Sequence, residues 1–141
     1  MPLEAVARYD PDRGSDVGER AVVVGGSMAG LLAARVLDDC FHHVTVVERD
    51  RLPDEPAARR GVPQARHPHV MWEAGRTTLE DLFPGYGEDL LSAGGLMIDL
   101  ARDFHVYDEG GFIAEGSDRL PLYSASRPLF ENVVRRHVLD A

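Results

Sequence analysis

The run Arg20-Ala21-Val22-Val23-Val24-Gly25 constrains this chain more than any other segment. A short β-branched stretch without polar alternation marks a parallel strand buried on both faces. It ends in glycine and passes straight into Gly26-Ser27-Met28-Ala29-Gly30. Ser27 is placed to cap a helix over residues 28–40. Met28, Leu31, Leu32, Val36 and Leu37 form its broad apolar surface, with Arg35, Asp38 and Asp39 on the wet side. Val44-Thr45-Val46-Val47-Glu48 repeats the β-branched character and predicts a second strand. Strand, helix and strand within about 30 residues make one βαβ unit, whose crossover should be right-handed.

Each position of the turn has a physical task. It stands where a dinucleotide-binding fold places its G-x-G-x-x-G loop. Gly25 permits the tight exit from the strand, and Gly30 lets the helix approach the sheet. Ser27 occupies the middle glycine position. Its side chain is small, and its hydroxyl can bond a phosphate oxygen. The amides of Gly26, Ser27, Met28 and Ala29 point along the positive end of the helix dipole, where an anion is stabilised. Glu48 follows Gly25 by 23 residues and closes the second strand. An acid about 20 residues on is the group that bonds a ribose hydroxyl pair. A carboxylate there suits an unphosphorylated ribose, so the pattern predicts FAD or NAD rather than NADP.

The rest of the chain is less regular. Residues 1–18 have no apolar period and read as a flexible leader before an ordered domain over 19–141. Residues 49–68 read as loop. A helix is predicted near 69–82, with Met71, Gly75, Thr78 and Leu82 on one face, and a short one over 87–93. Short strands are predicted over 96–101, 103–107, 111–115 and 120–125, forming a small β-meander. Pro128 opens a last helix in which Phe130, Val133, Val134, His137 and Val138 share a face.

Charge and composition remove several classes of function. All 15 basic residues are arginine, against 24 acids, for a net charge of −9. Nucleic-acid binding by bulk charge needs a basic face, so that partner is excluded, and an anionic membrane surface is disfavoured. Residues 77–118 hold ten acids against Arg102 alone, whereas residues 49–76 hold six arginines against four acids. The single cysteine, Cys40, cannot build an intramolecular disulfide framework or a cysteine-rich metal site. No metal site is predicted: His67 and His69 have no carboxylate or cysteine at ligand spacing and read first as loop or helix-start polar groups. The longest uncharged run, 14 residues between Arg20 and Arg35, is too short and glycine-rich to span a membrane. A cytoplasmic setting is the default expectation.

The run from Val22 to Ala34 resembles the amino-terminal FAD fingerprint of flavin-dependent monooxygenases of the para-hydroxybenzoate hydroxylase type. Val46-Val47-Glu48-Arg49 is similar to the matching second-strand end. Gly61-Val62-Pro63-Gln64-Ala65-Arg66-His67-Pro68-His69-Val70 resembles a segment of one bacterial branch. Ser126-Arg127-Pro128-Leu129-Phe130-Glu131 resembles the Ser-Arg motif before the next helix. The likeness runs over roughly residues 20–141. It implies a Rossmann-like FAD-binding α/β fold. In that frame Gly25, Ser27 and Gly30 shape the pyrophosphate turn. Glu48 holds the adenosine ribose with Arg49 beside the adenine. Arg127 approaches the pyrophosphate or ribityl chain, and Gln64, Arg66 and His67 lie near the flavin end.

Members of this family are longer. They continue with a third strand, a Gly-Asp motif and a sheet over the substrate, so the chain is expected to be an incomplete, amino-terminal portion. The implied activity is oxidation or hydroxylation of an organic small molecule, with NAD(P)H as reductant. No side chain stands out as a general acid, base or nucleophile, so no catalytic residue is assigned. A flavin halogenase or prenyl-chain reductase is the alternative within the superfamily, and the absence of lysine weighs against the halogenase. A non-catalytic remnant, or a module completed by another chain or a second copy, is the alternative outside enzymology.

Overall fold

The computed structural model describes residues 8–114, 116 and 118–140. Strand β1 (Gly18–Val24), helix α1 (Met28–Asp38) and strand β2 (Phe41–Val47) come first. They are followed by β3 (Pro68–Met71), α2 (Glu73–Leu82), α3 (Tyr86–Ser92) and β4 (Leu96–Asp99). The single turn α4 (Leu100–Asp103), β5 (Tyr107–Asp108), β6 (Gly111–Phe112), β7 (Pro121–Ser126) and α5 (Arg127–Asp140) complete the order. Short 3-10 turns lie at Pro11–Arg13 and Pro63–Arg66. The protein is therefore mixed α/β, with separate parallel and antiparallel sheets.

β1 and β2 pair in parallel, with Val22 opposite Thr45 and Val24 opposite Val47. α1 covers one face of this pair through buried Leu31 and Ala34, above Val23. The opposite face is open: Val22 is 64% exposed, Val24 85% and Val47 52%. The β-branched run thus forms the expected strand but is buried on one face only among the described residues. α1 ends at Asp38 rather than near residue 40, and Val36 of its expected apolar surface is exposed.

The antiparallel sheet departs further from the sequence reading. Its order is β3-β7-β4, with β7 in the centre. Val70 and Leu96 both pair with Ser124. This corrects the expected meander, because β7 pairs with strands far from it in sequence and not with its neighbour. It also corrects the start of the second long helix. Residues 68–71 are extended because their backbone groups pair with β7, and α2 begins only at Glu73. Of the strand expected over 103–107 only Tyr107 is extended, as the first residue of β5, while Asp103 ends α4. Asp99 accepts the Ala101 N–H at 3.3 Å and the Leu120 N–H at 2.9 Å, which starts α4 where the strand was expected to continue. β5 and β6 form only a small hairpin closed through Glu109 and Gly110, both at positive φ. Glu115 of the expected 111–115 strand and residues 1–7 of the expected leader lie outside the described residues.

The core sits between α5, α3, α2 and β7. Leu79, Leu82, Phe83, Tyr86, Leu90, Tyr123, Leu129, Phe130, Val133 and Val134 are buried together, and Leu31 joins them from α1. Before β1, Tyr9 packs against this cluster and its hydroxyl donates to Asp39, while the Arg35 guanidinium lies 5.4 Å from its ring centre.

Candidate functional site

The turn between β1 and α1 takes its shape from its glycines. Gly25 has φ 104°, a conformation that side chains resist. At Gly30 an added Cβ would sit 1.8 Å from the Gly25 carbonyl oxygen, so the helix can start this close to the strand end only with glycine there. Ser27 stands at the N-cap of α1 in extended conformation, yet its side chain does not cap the helix. Its hydroxyl turns away, donating to Glu131 Oε2 at 3.0 Å and accepting from Arg127 Nη2 at 3.1 Å. Met28 and Ala29 are the first helical residues, and α1 has no acid in its first turn.

Glu48, one residue beyond β2, lies directly across from the turn. Its Oε2 accepts the Gly26 N–H at 2.6 Å and its Oε1 accepts the Asp50 N–H at 2.9 Å. These two amides, that of Asp50 first, hold the Glu48 carboxyl below the ordinary glutamate value of 4.5. The carboxylate is thus charged and fixed in direction. Val24, Gly25, Ser27, Glu48, Arg49 and Arg59 line an open groove of about 340 Å³ here.

Arg59, which the sequence reading passed over, joins the site together. Its Nη1 lies 3.3 Å from Glu48 Oε2 and 3.4 Å from Asp50 Oδ2. Its Nη2 donates to the Gly26 carbonyl at 3.1 Å and to Glu131 Oε1 at 2.9 Å, and its Nε reaches the same oxygen at 3.0 Å. Glu131, whose side chain is 6% exposed, also faces Arg127 Nη1 at 3.5 Å and Arg135 Nη1 at 4.0 Å. A signal for this cluster existed in the sequence. Arg127, Glu131 and Arg135 are spaced i, i+4, i+8 and so share one helix face. Nothing in the local pattern around Arg59 marked it, because its partners lie on distant segments.

The remaining expected residues divide. Arg127 begins α5 and reaches the turn through Ser27. A cation at a helix start is unfavourable without a nearby anion, and here the chain's own Glu131 supplies one. Arg66 lines a second open groove with Arg59, Arg60, Val62 and Pro63. Gln64 and His67 are exposed on the same segment and line neither groove. The His67 carbonyl is 2.8 Å from His69 Nδ1.

The chain is similar to a protein of Mycobacterium tuberculosis. That relative, Protein Rv3254, is 42% identical over 126 residues, which make up 86% of this chain and 27% of the relative. The chain thus spans about a quarter of the relative's length. No protein-family model matches it. Among the described residues no helix is long and apolar enough to cross a membrane, and no three His, Cys, Asp or Glu side chains gather into a potential metal site.

Proposed function

We propose that this chain is the adenosine-diphosphate-binding portion of a Rossmann-like FAD domain, belonging to a flavin-dependent oxidoreductase of the para-hydroxybenzoate hydroxylase type. One observation carries the reading. The uncapped start of α1, the positive-φ glycine before it and the amide-anchored Glu48 converge on a single groove. These groups fit the two chemistries of the ligand's adenosine end. The first-turn amides of α1 face an anion, and Glu48 accepts from ribose hydroxyls. Arg127, buried behind Ser27 and paired with Glu131, lies on the same side.

The flavin would supply the oxidation chemistry when bound, and the residues in hand bind and orient its nucleotide end. Gln64, Arg66 and His67 contribute less to this support, since Gln64 and His67 stand apart from the groove. Oxidation or hydroxylation of a small organic molecule, with NAD(P)H as reductant, belongs to a longer protein in this reading. The open valine face of β1 and β2 also favours a completing chain or a second copy as partner.

The test is direct. Purified chain is titrated with FAD and its visible spectrum and flavin fluorescence are followed. A saturable, near-stoichiometric complex is the expected result. Protein that stays colourless at millimolar FAD overturns the proposal that this chain holds the nucleotide by itself.

A further inference from the structure

Behind the Gly-rich turn lies a closed charge cluster. Arg59, Arg127 and Arg135 face Glu48, Asp50 and Glu131, so three cations meet three carboxylates. Glu131 is the member that touches all three arginines. The balance is uneven at Arg127. Its side chain is only 10% exposed, its Nη1 has no hydrogen-bond partner, and its nearest anion is Glu131 at 3.5 Å. Its other nitrogen holds Ser27 Oγ at the mouth of α1. An unfilled donor therefore sits beside a helix start whose own cap residue has turned away.

We infer that Glu131 is a resident counter-anion that sets the affinity of this turn for a pyrophosphate group. With the groove empty, it neutralises Arg127 and Arg59 and draws the Ser27 hydroxyl inward. A phosphate oxygen arriving at the first turn of α1 competes with Glu131 for the Ser27 hydroxyl, and it meets an Arg127 whose charge Glu131 already offsets. The carboxylate thus lowers the field at the groove while keeping three buried guanidinium groups compensated. A residue that merely props up the turn could only weaken binding when changed. A resident anion, once neutralised, strengthens it. This inference rests on the reading of the groove as a pyrophosphate site, but it concerns the chain's own charges.

Glu131→Gln keeps the shape and an acceptor for Arg59 while removing the charge. Inorganic pyrophosphate, titrated by calorimetry, is expected to bind this variant roughly tenfold more tightly than the parent, with a steeper salt dependence. Equal or weaker binding by a folded Glu131→Gln protein overturns the inference. If the variant does not fold alone, millimolar pyrophosphate should restore its far-UV circular dichroism where sulfate at equal ionic strength does not; failure of that rescue also overturns it. The FAD titration of the parent separates the two claims. FAD binding by the parent without tightening in the variant sinks the counter-anion alone. Pyrophosphate capture by the variant, with no FAD binding by the parent, sinks the cofactor reading alone.

Discussion

The parallel and antiparallel halves of this protein differ in what they bury. β1, α1 and β2 carry the turn and the anchored acid, yet they place only Leu31 in the main cluster and leave Val22, Val24 and Val47 open. β7, α2, α3 and α5, with Phe83 between α2 and α3, carry all of that cluster's buried side chains but Leu31. The candidate site therefore sits on the leaner half. It meets the denser half through Leu31, Met28 and Leu32 of α1 and through ions, with Arg59, Glu131 and Arg127 bridging the turn to α5. Stability should consequently respond most to the dense half and binding most to the turn.

The largest expected effect lies in the dense half. Phe130 is 2% exposed, and Phe130→Ala should cost about 3–5 kcal/mol, read as a fall in the urea midpoint. A small shift would mean that α5 is not the centre of the core. Gly30→Ala comes next. In an ordinary helix this change stabilises, but here the new Cβ meets the Gly25 carbonyl. A loss of about 1–3 kcal/mol is expected, together with loss of FAD binding. Unchanged stability and binding would remove the close approach from the argument.

Acid provides a third, smaller probe. Glu48 has a lowered pKa in the folded chain, so its contribution is present above the ordinary value of 4.5 and is lost as pH falls through the lower folded value. Glu48→Gln should flatten that part of the stability–pH curve relative to the parent. Identical acid limbs would show that the two amides do not hold the carboxylate. The smallest effect is expected on the open face. Val24→Thr should change stability by no more than about 0.5 kcal/mol in the chain as a monomer. A larger loss, accompanied by a change in sedimentation, would show that this valine face is covered in solution.

The two halves also differ in how legible they were. The βαβ segment was readable because its pattern is local. β-branched runs, a glycine turn and a terminal acid all fall within residues 20–48, and each strand's partner is the next strand in line. The antiparallel half was not. Residues 68–71 carry a helical apolar spacing into α2, but pairing with β7, more than 50 residues away, holds them extended. Asp99 stops β4 by gathering the N–H groups of Ala101 and Leu120, a choice made by a loop that folds back from further along the chain.

The site shows the same division residue by residue. Sequence alone determined the elements of the turn: why Gly25 and Gly30 must be glycine, why Glu48 closes the second strand, and why a helix opens at Pro128 next to Arg127. Periods and turn chemistry act over a few residues, so they can be read without knowing the rest of the chain. Only the tertiary structure decided that Arg59 is the hub and that Ser27 turns from its helix toward Glu131. The bonds from Arg59 to Gly26 and from Ser27 to Glu131 join segments 33 and 104 residues apart. A buried charge chooses its partner by whatever opposite charge folding brings within a few ångströms, and that is a property of the packed chain rather than of any stretch of it.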